Sequence, residues 1–377
     1  MMFIMTVGRS YPEKKTGMAG VFEFEQAKAL SEIGNKVVYA FSDNRSIKVI
    51  RSLKPIRKKN GNVEIYGRQF PAKGLPKAVV NKIKTNEYKE LMKVITDEQG
   101  IPDVIHIHFP LLTLTREIFD YFRELKCKIV CTEHWSKVQK KELSAEKTEL
   151  LKYIVERSDS FICVGEQLKK SVVELTGTKK EIYVVPNMVS EQFEYCRKTE
   201  DNGKFTFIAV GRLVPEKGFN VVIDAFAKAF PDNDNIFLNI VGDGKCRKKL
   251  EKQIASTNVS DRIIMSGFKN HNEIADMYAG ADCYVSASVF ETFGVPFIEA
   301  WVTGLPSIGT KGGSIDEYFT NENGLLFEKD NTDDLVRAMK SVYSNKDAYV
   351  GKNISETAGS LFSSKKVAER LVKIFEL

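Results

Sequence analysis

The chain has 377 residues, 43% of them hydrophobic and 28% charged, with a formal net charge of +6. That length accommodates two domains of ordinary size, each with its own core, and the composition excludes disordered, collagen-like and coiled-coil classes. The longest apolar runs, such as Phe205 to Val210 and Ile236 to Val241, fall far short of the roughly 20 residues that cross a bilayer.

Met1 to Val7 is apolar but runs at once into Gly8, Arg9 and Ser10, with no basic segment before it and no small-residue cleavage site. It reads as a buried first strand rather than a secretory leader. A glycine-containing loop follows, Gly17-Met18-Ala19-Gly20-Val21-Phe22. Further strands are predicted at Lys36 to Phe41, Val63 to Tyr66, Val104 to Ile107, Lys128 to Thr132, Ser160 to Val164 and Ile182 to Val185, with helical patterns between them. Residues 1 to 190 carry 33 Lys plus Arg against 23 Asp plus Glu. Much of the excess lies in Arg45 to Lys93, with 14 basic and 3 acidic residues, where cations interleave with Ile47, Val49, Ile50, Leu53 and Ile56. Three readings fit that stretch: a solvated face, an anionic membrane surface or lipid diphosphate, and nucleic acid. Its scarcity of stacking aromatics argues against nucleic acid. His106 and His108 read as one inward and one outward ring at a strand end.

The polar stretch Glu191 to Lys204, with Asp201-Asn202-Gly203 before a fresh strand, is the predicted linker, which puts the domain boundary at 190 to 204. Beyond it, strands are predicted at Phe205 to Val210, Ile236 to Val241, Arg262 to Met265, Cys283 to Ser286, Ser307 to Ile308 and Gly324 to Leu326. Short strands alternating with helices throughout predict two doubly wound parallel sheets. A last helix, Ser364 to Phe375, puts Val367, Leu371, Val372 and Phe375 on one face. The six cysteines are scattered, form no C-x-x-C pair, and read as reduced core thiols of a cytosolic protein.

The chemistry concentrates at strand ends of the second half. Strand 205–210 runs into Gly211-Arg212-Leu213-Val214-Pro215-Glu216-Lys217-Gly218, where a planar guanidinium and a mobile ammonium five residues apart can clamp a diphosphate. Gly242-Asp243-Gly244 and Gly267-Phe268 end the next strands. Glu291 and Glu299 bracket a strand-to-helix turn, Glu291-Thr292-Phe293-Gly294-Val295-Pro296-Phe297-Ile298-Glu299. A helix mouth favours phosphate, and two acids beside a phosphate are better suited to hydroxyls, which together suggest a nucleotide sugar. Taken alone, the same pair also fits a solvated helix surface. Gly312-Gly313-Ser314 and Asn323-Gly324 fall at the same sheet edge, which is where open α/β sheets bind ligands. Asp232-Asn233-Asp234 matches a metal-binding string but follows Pro231 at the opposite edge, so no metal is expected.

In this order and spacing, residues 200 to 330 resemble the family 4 glycosyltransferases, retaining enzymes of the GT-B architecture. The first half fits that family more loosely through the Gly17 to Phe22 loop, Pro102 to His108, Thr132-Glu133-His134-Trp135 and Val184-Val185-Pro186-Asn187. The resemblance implies two Rossmann-like domains facing across a cleft. Residues 1–190 would be the acceptor domain, joined by a returning helix at 361–377, and 204–358 the nucleotide-sugar domain. It assigns Arg212 and Lys217 to the diphosphate, Glu291 to the transferred sugar, Glu299 to ribose hydroxyls and His134 to the sugar and acceptor. Donor contacts would also come from Gly17, Gly20, Gly211, Gly267, Phe268, Phe293, Gly294 and Val295.

The expected activity is therefore retaining transfer of a hexosyl group from a nucleotide-diphosphate sugar, UDP before GDP, with no cofactor. The expected acceptor is a saccharide or polyprenyl-diphosphate-linked saccharide in cell-surface polysaccharide or glycoconjugate synthesis, met in the cytoplasm or at the inner membrane face. Alternatives are another GT-B enzyme, an epimerase or phosphorylase, and a non-catalytic nucleotide-binding subunit. A phosphorylase would need a longer chain with a cofactor-anchoring lysine. The absence of G-x-G-x-x-G after the first strand argues against a dinucleotide enzyme.

Overall fold

A computed structural model describes residues 1–12, 19–45, 53–196 and 203–377. The chain divides into two compact units, residues 1–187 with 364–377, and residues 188–363. Among the described residues no helix is long and apolar enough to cross a membrane.

The first unit contains strands β1 (Phe3–Gly8), β2 (Lys36–Asp43), β3 (Ile56–Asn60), β4 (Val63–Gln69), β5 (Val104–His108), β6 (Lys128–Glu133), β7 (Ser160–Cys163) and β8 (Ile182–Val184). They lie in the order β3-β4-β2-β1-β5-β6-β7-β8. All pairs are parallel except β3–β4, an antiparallel edge hairpin. Its helices are α1 (Val21–Glu32), α2 (Lys77–Gln99), α3 (Pro110–Thr113), α4 (Arg116–Glu124), α5 (Ser136–Gln139), α6 (Ala145–Arg157) and α7 (Glu166–Thr176). The central strands are buried on both faces, as parallel sheets require.

The second unit orders β9 (Phe205–Val210), β10 (Ile236–Val241), β11 (Ile263–Gly267), β12 (Cys283–Val285), β13 (Ser307–Thr310) and β14 (Gly324–Phe327) as β11-β10-β9-β12-β13-β14, with every pair parallel. Its helices are α8 (Phe219–Ala229), α9 (Arg247–Ala255), α10 (His271–Ala279), α11 (Val295–Val302), α12 (Thr332–Ser344) and α13 (Gly351–Phe362). Phe207, Phe226, Phe230, Leu238, Ile240, Leu335 and Met339 form part of the core between this sheet and its helices.

The final helix, α14 (Ser364–Glu376), packs against α1 and returns the chain to the first unit. Residues 361–363 remain with the second unit, so the crossover begins at Ser364 rather than 361. Residues 188–196 likewise belong to the second unit, where Phe193 packs on His271 and Tyr278. Three further expectations are corrected. Strand β3 was not predicted, because Arg57, Lys58 and Lys59 erase the apolar alternation that marks a strand. His106 and His108 are two residues apart on one strand, so both rings share a face, 4.2 Å between centroids, and both are fully buried. Cys131, Cys163 and Cys283 are buried thiols, whereas Cys196 is exposed.

Candidate active site

In the second unit the chain leaves β9 for β10 on one side, while β12 pairs with β9 on the other. The strand order reverses here, the place in an open α/β sheet where ligands bind outside the carboxyl ends of the strands. Backbone contacts stitch these two loops together. Val289 N–H donates to the Glu216 carbonyl at 3.0 Å, and Ser288 Oγ–H donates to the same oxygen at 3.2 Å. Gly218, at φ 63°, is forced by this approach: a Cβ there would lie 2.0 Å from the Ala287 carbonyl oxygen. The β10 loop closes in similarly, with a Cβ on Gly242 falling 1.9 Å from the Gly211 carbonyl oxygen at φ 140°. Leu213 N–H donates to Asp243 and Gly242 N–H to Gly267. The glycines predicted to line the ligand edge thus allow three loops to pack backbone against backbone.

That packing brings Lys217 and Glu291, 74 residues apart in sequence, into an ion pair with Nζ 2.5 Å from Oε1. Their side chains are 23% and 17% exposed, so the pair is shielded yet reachable. Arg212 stands exposed on the same loop. Gly267 ends β11 beside the Arg247 guanidinium, and Phe268 is 75% exposed there. Arg247 was missed from sequence; the signal was a cation just after Gly242-Asp243-Gly244.

Gly294 caps α11 in the left-handed region with no side-chain acceptor, and Pro296 lies in the helix's first turn. Main-chain N–H groups of that turn are therefore offered at a positive dipole end. The Phe293 ring is not part of this mouth, because it is buried against Tyr318 and Phe362. Any ligand contact at Phe293 must come from its backbone. Glu299 is only 8% exposed on the second turn of α11. Burial, then the charge of Glu299, pushes the Tyr278 hydroxyl well above the ordinary phenol range. At Tyr284 burial is followed by the charge of Glu291, and Glu299 adds less. A cavity of about 20 Å³ among Ser286, Ser288, Glu291 and Gly312 has room for little more than one water.

Asp232-Asn233-Asp234 lies just before the amino end of β10, on the edge away from these loops. There the Arg262 guanidinium, 3% exposed, donates to the carbonyls of Asn233, Phe230 and Pro231. Among the described residues no cluster of three or more His, Cys, Asp or Glu is arranged to hold a metal ion.

In the first unit the carboxyl edge carries a buried polar network. Arg9, after β1, pairs with fully buried Glu23 in the first turn of α1 at 2.6 Å and lies 3.6 Å over the Phe109 ring. Gly20 packs on this loop, where a Cβ would meet the Ser10 carbonyl oxygen at 1.9 Å. Gly17 lies outside the described residues. His134 is 8% exposed; its Nε2 sits 3.0 Å from His108 Nδ1, and its ring stacks on Phe109. Burial, aided by Arg9, pushes it down to about 3, so this imidazole is neutral at physiological pH. Its Nε2 is therefore engaged within the unit. Glu133, read from sequence only as a neighbour of His134, accepts the N–H groups of His134 and Trp135 through Oε1, while its buried Oε2 has no hydrogen-bond partner among the described residues. Burial pushes its carboxyl up to about 7.

The basic stretch is partly neutralised by its own fold. Arg45 pairs with Asp43, Arg57 with Glu98, Lys59 with Glu64, Arg68 with Glu90 and Lys77 with Glu146. Residues 46–52 lie outside the described residues.

Comparison with known proteins gives the same picture for both units. Residues 190–358 match the family described as glycosyl transferases group 1, and residues 21–193 match glycosyltransferase family 4. An uncharacterized glycosyltransferase of Methanocaldococcus jannaschii is 30% identical over 299 residues, covering 77% of this chain and 79% of that protein. The phosphatidylinositol N-acetylglucosaminyltransferase GPI3 subunit of Saccharomyces cerevisiae is 24% identical over 72% of this chain, and the match spans only 62% of that subunit's length. N-acetyl-alpha-D-glucosaminyl L-malate synthase of Bacillus anthracis is 25% identical over 73% of each chain. Among solved structures, sucrose-phosphate synthase from Thermosynechococcus elongatus superposes with a TM-score of 0.76 at 18% identity, covering 100% of this chain and 98% of the other. Anabaena HepE in complex with UDP and glucose gives 0.72 at 16% identity, covering 100% of both chains.

Proposed function

The chain belongs to the family 4 glycosyltransferases, with the GT-B fold, and on that premise we propose that it is a retaining enzyme using a UDP-sugar, with N-acetylglucosamine the first sugar to test. The observation that carries the reading is the Lys217–Glu291 ion pair, held by two stitched loops at the switch point of the second sheet, with Arg212 on the same loop. A nucleoside diphosphate leaving an anomeric carbon gathers negative charge, and prearranged cations beside it lower the barrier most where water is displaced. Lys217 and Arg212 supply those cations, and the first-turn N–H groups of α11 add neutral donors. Glu291 fixes the Lys217 ammonium and presents its second carboxylate oxygen to sugar hydroxyls. Glu299, one turn deeper, is the acceptor for ribose hydroxyls. The leaving phosphate takes the proton of the incoming hydroxyl, so the scheme needs neither a protein base nor a metal.

UDP is favoured over GDP by the structural neighbour bound to UDP and glucose, and N-acetylglucosamine by the names of two relatives. His134 and Glu133 we assign to shaping the edge of the first unit rather than to proton transfer, because His134 is nearly buried and its Nε2 is engaged by His108. Thermal-shift and calorimetric titration against UDP-N-acetylglucosamine, UDP-glucose, UDP-galactose and GDP-mannose tests the reading. Selective stabilisation by one UDP-sugar, with slow UDP release, is the expected result. A flat response across the panel would overturn it.

A further inference from the structure

Helix ends normally fray, yet Phe375 in the last turn of α14 is buried and pinned, its carbonyl accepting from Lys128 Nζ at 3.0 Å. Its ring meets His106 edge to face, with 5.1 Å between centroids and 61° between planes. From there a row of rings runs to the carboxyl edge of the sheet. His106 lies 4.2 Å from His108, His108 lies 5.3 Å from His134, and His134 stacks on Phe109 at 4.6 Å. Phe109 in turn carries the Arg9 guanidinium at 3.6 Å. The row is held under strain. Phe109 sits at φ 49°, a left-handed backbone that a bulky residue adopts only where its surroundings fix it. Its N–H donates to the Thr132 carbonyl, and its own carbonyl accepts from Leu112 and Thr113.

The hydrogen bonds of the row determine where its protons sit. Burial drives all three imidazoles well below their ordinary range, so each is neutral, with one N–H and one lone pair. His106 bonds Thr132 Oγ1 through Nε2 at 2.7 Å, and His108 bonds His134 Nε2 through Nδ1 at 3.0 Å. The other nitrogens of these two rings, His106 Nδ1 and His108 Nε2, are buried with no partner among the described residues. A buried N–H without an acceptor is the costlier orphan, so the unpartnered nitrogens carry the lone pairs and the bonded ones the protons. His108 Nδ1–H therefore donates to His134 Nε2, which leaves the His134 proton on Nδ1. Each ring setting dictates the next.

We propose that Phe375 and His106 are positioning residues for His134: by closing the buried end of the row, the last turn of α14 fixes the ring plane and tautomer that His134 presents at the carboxyl edge. Without the Phe375 ring, His106 turns into the space it left, its bond to Thr132 lengthens, and His108 follows. The inference rests on the transferase reading above, in which His134 shapes that edge, and adds to it the residues that hold His134 in place.

Nitrogen NMR of the full chain carrying isotope-labelled histidine tests it, because the sequence holds four histidines and His271, in the second unit, is an internal control. Phe375→Leu removes the ring but keeps most of the bulk. Thr132→Val removes the hydroxyl and keeps the shape, so it decides the matter if Phe375→Leu fails to fold. Each variant should shift the ring-nitrogen signals of His106, His108 and His134, mix the tautomers of the last two, and leave His271 unmoved. The kcat for UDP release should fall about tenfold to a hundredfold, the scale of a small misplacement beside a reacting group, while UDP-sugar affinity stays unchanged. Shifts confined to His106, or an unchanged kcat in a variant whose His134 signals have moved, would overturn the proposal. Wild-type protein that released no UDP from any donor would instead overturn the transferase reading, and the nitrogen signals would still decide whether Phe375 holds His134.

Discussion

Replacing Lys217 with Met removes one charge while keeping most of the side chain's bulk. The Nζ–Oε1 separation of 2.5 Å and exposures of 23% and 17% describe a pair more shielded than a surface bridge but not fully desolvated. Its loss should cost about 1 kcal/mol of stability, toward the upper end of exposed-pair values. For a unit of this size that is a fall of about 2–4 °C in Tm. The transition state should suffer more, since removing one preorganised group facing developing charge commonly costs about 3–4 kcal/mol, or 10²–10³ in kcat. A double variant separates the two effects. Lys217→Met with Glu291→Gln no longer leaves a lone carboxylate between the loops, so its Tm should return toward the wild-type value. Its rate should stay at or below that of Lys217→Met. The assay is UDP release from the donor that binds, alongside thermal unfolding of each variant. Activity of Lys217→Met within about threefold of wild type, or recovery of rate together with Tm in the double variant, would refute the assignment of Lys217 to the leaving diphosphate.

Other outcomes follow from the same geometry. Glu133 keeps its proton up to about 7 when folded but releases it near 4.5 when unfolded, so wild-type stability falls by up to about 3 kcal/mol as pH rises through that window. Glu133→Gln escapes that loss, and urea midpoints at pH 5 and pH 8 should favour the variant progressively; parallel pH profiles would contradict it. Gly242→Ala should destabilise the second unit by about 2–4 kcal/mol and weaken nucleotide binding, since its Cβ would sit 1.9 Å from a carbonyl oxygen. Gly359→Ala, on an open face of α13, should instead raise the urea midpoint by about 0.5–1 kcal/mol equivalent. Arg262→Met strips donors from the four carbonyls of Phe230, Pro231, Asn233 and Ile236 and should cost about 3–5 kcal/mol while leaving the UDP affinity of the folded fraction intact.

The parallel strands were readable because two-sided burial leaves short, unbroken apolar runs. Phe205–Val210 and Ile236–Val241 begin and end where such runs do. Edge structure was not readable, because an edge strand owes its pairing to one neighbour and not to a hydrophobic face. Ile56–Asn60 pairs with Val63–Gly67 through backbone hydrogen bonds that its lysines do not disturb, so a run that sequence rules score as charged loop is a strand. The crossover to α14 was visible as an apolar stripe, but its start was not. Ser363 still pairs with Val189 in the second unit, and that bridge depends on a partner 174 positions away.

The same division governs the site. Lys217 and Glu291 were nameable from sequence because each lies just past a strand, and strand ends in open α/β sheets converge on one edge. That the two would touch each other was not nameable, since it rests on Gly218 letting the β9 loop reach the Ala287 carbonyl. The resemblance assigns His134 to the sugar and acceptor, and its burial was not legible beside that: it lies just past a strand covered on both faces and is 8% exposed. Neighbouring His108 then engages its Nε2, and desolvation keeps it neutral. At Glu133 the buried Oε2 has no hydrogen-bond partner among the described residues, although its other oxygen accepts two backbone N–H groups. A proton at Oε2 costs least where desolvation is most severe, which is why the carboxyl, and not the imidazole, titrates near neutrality at this edge.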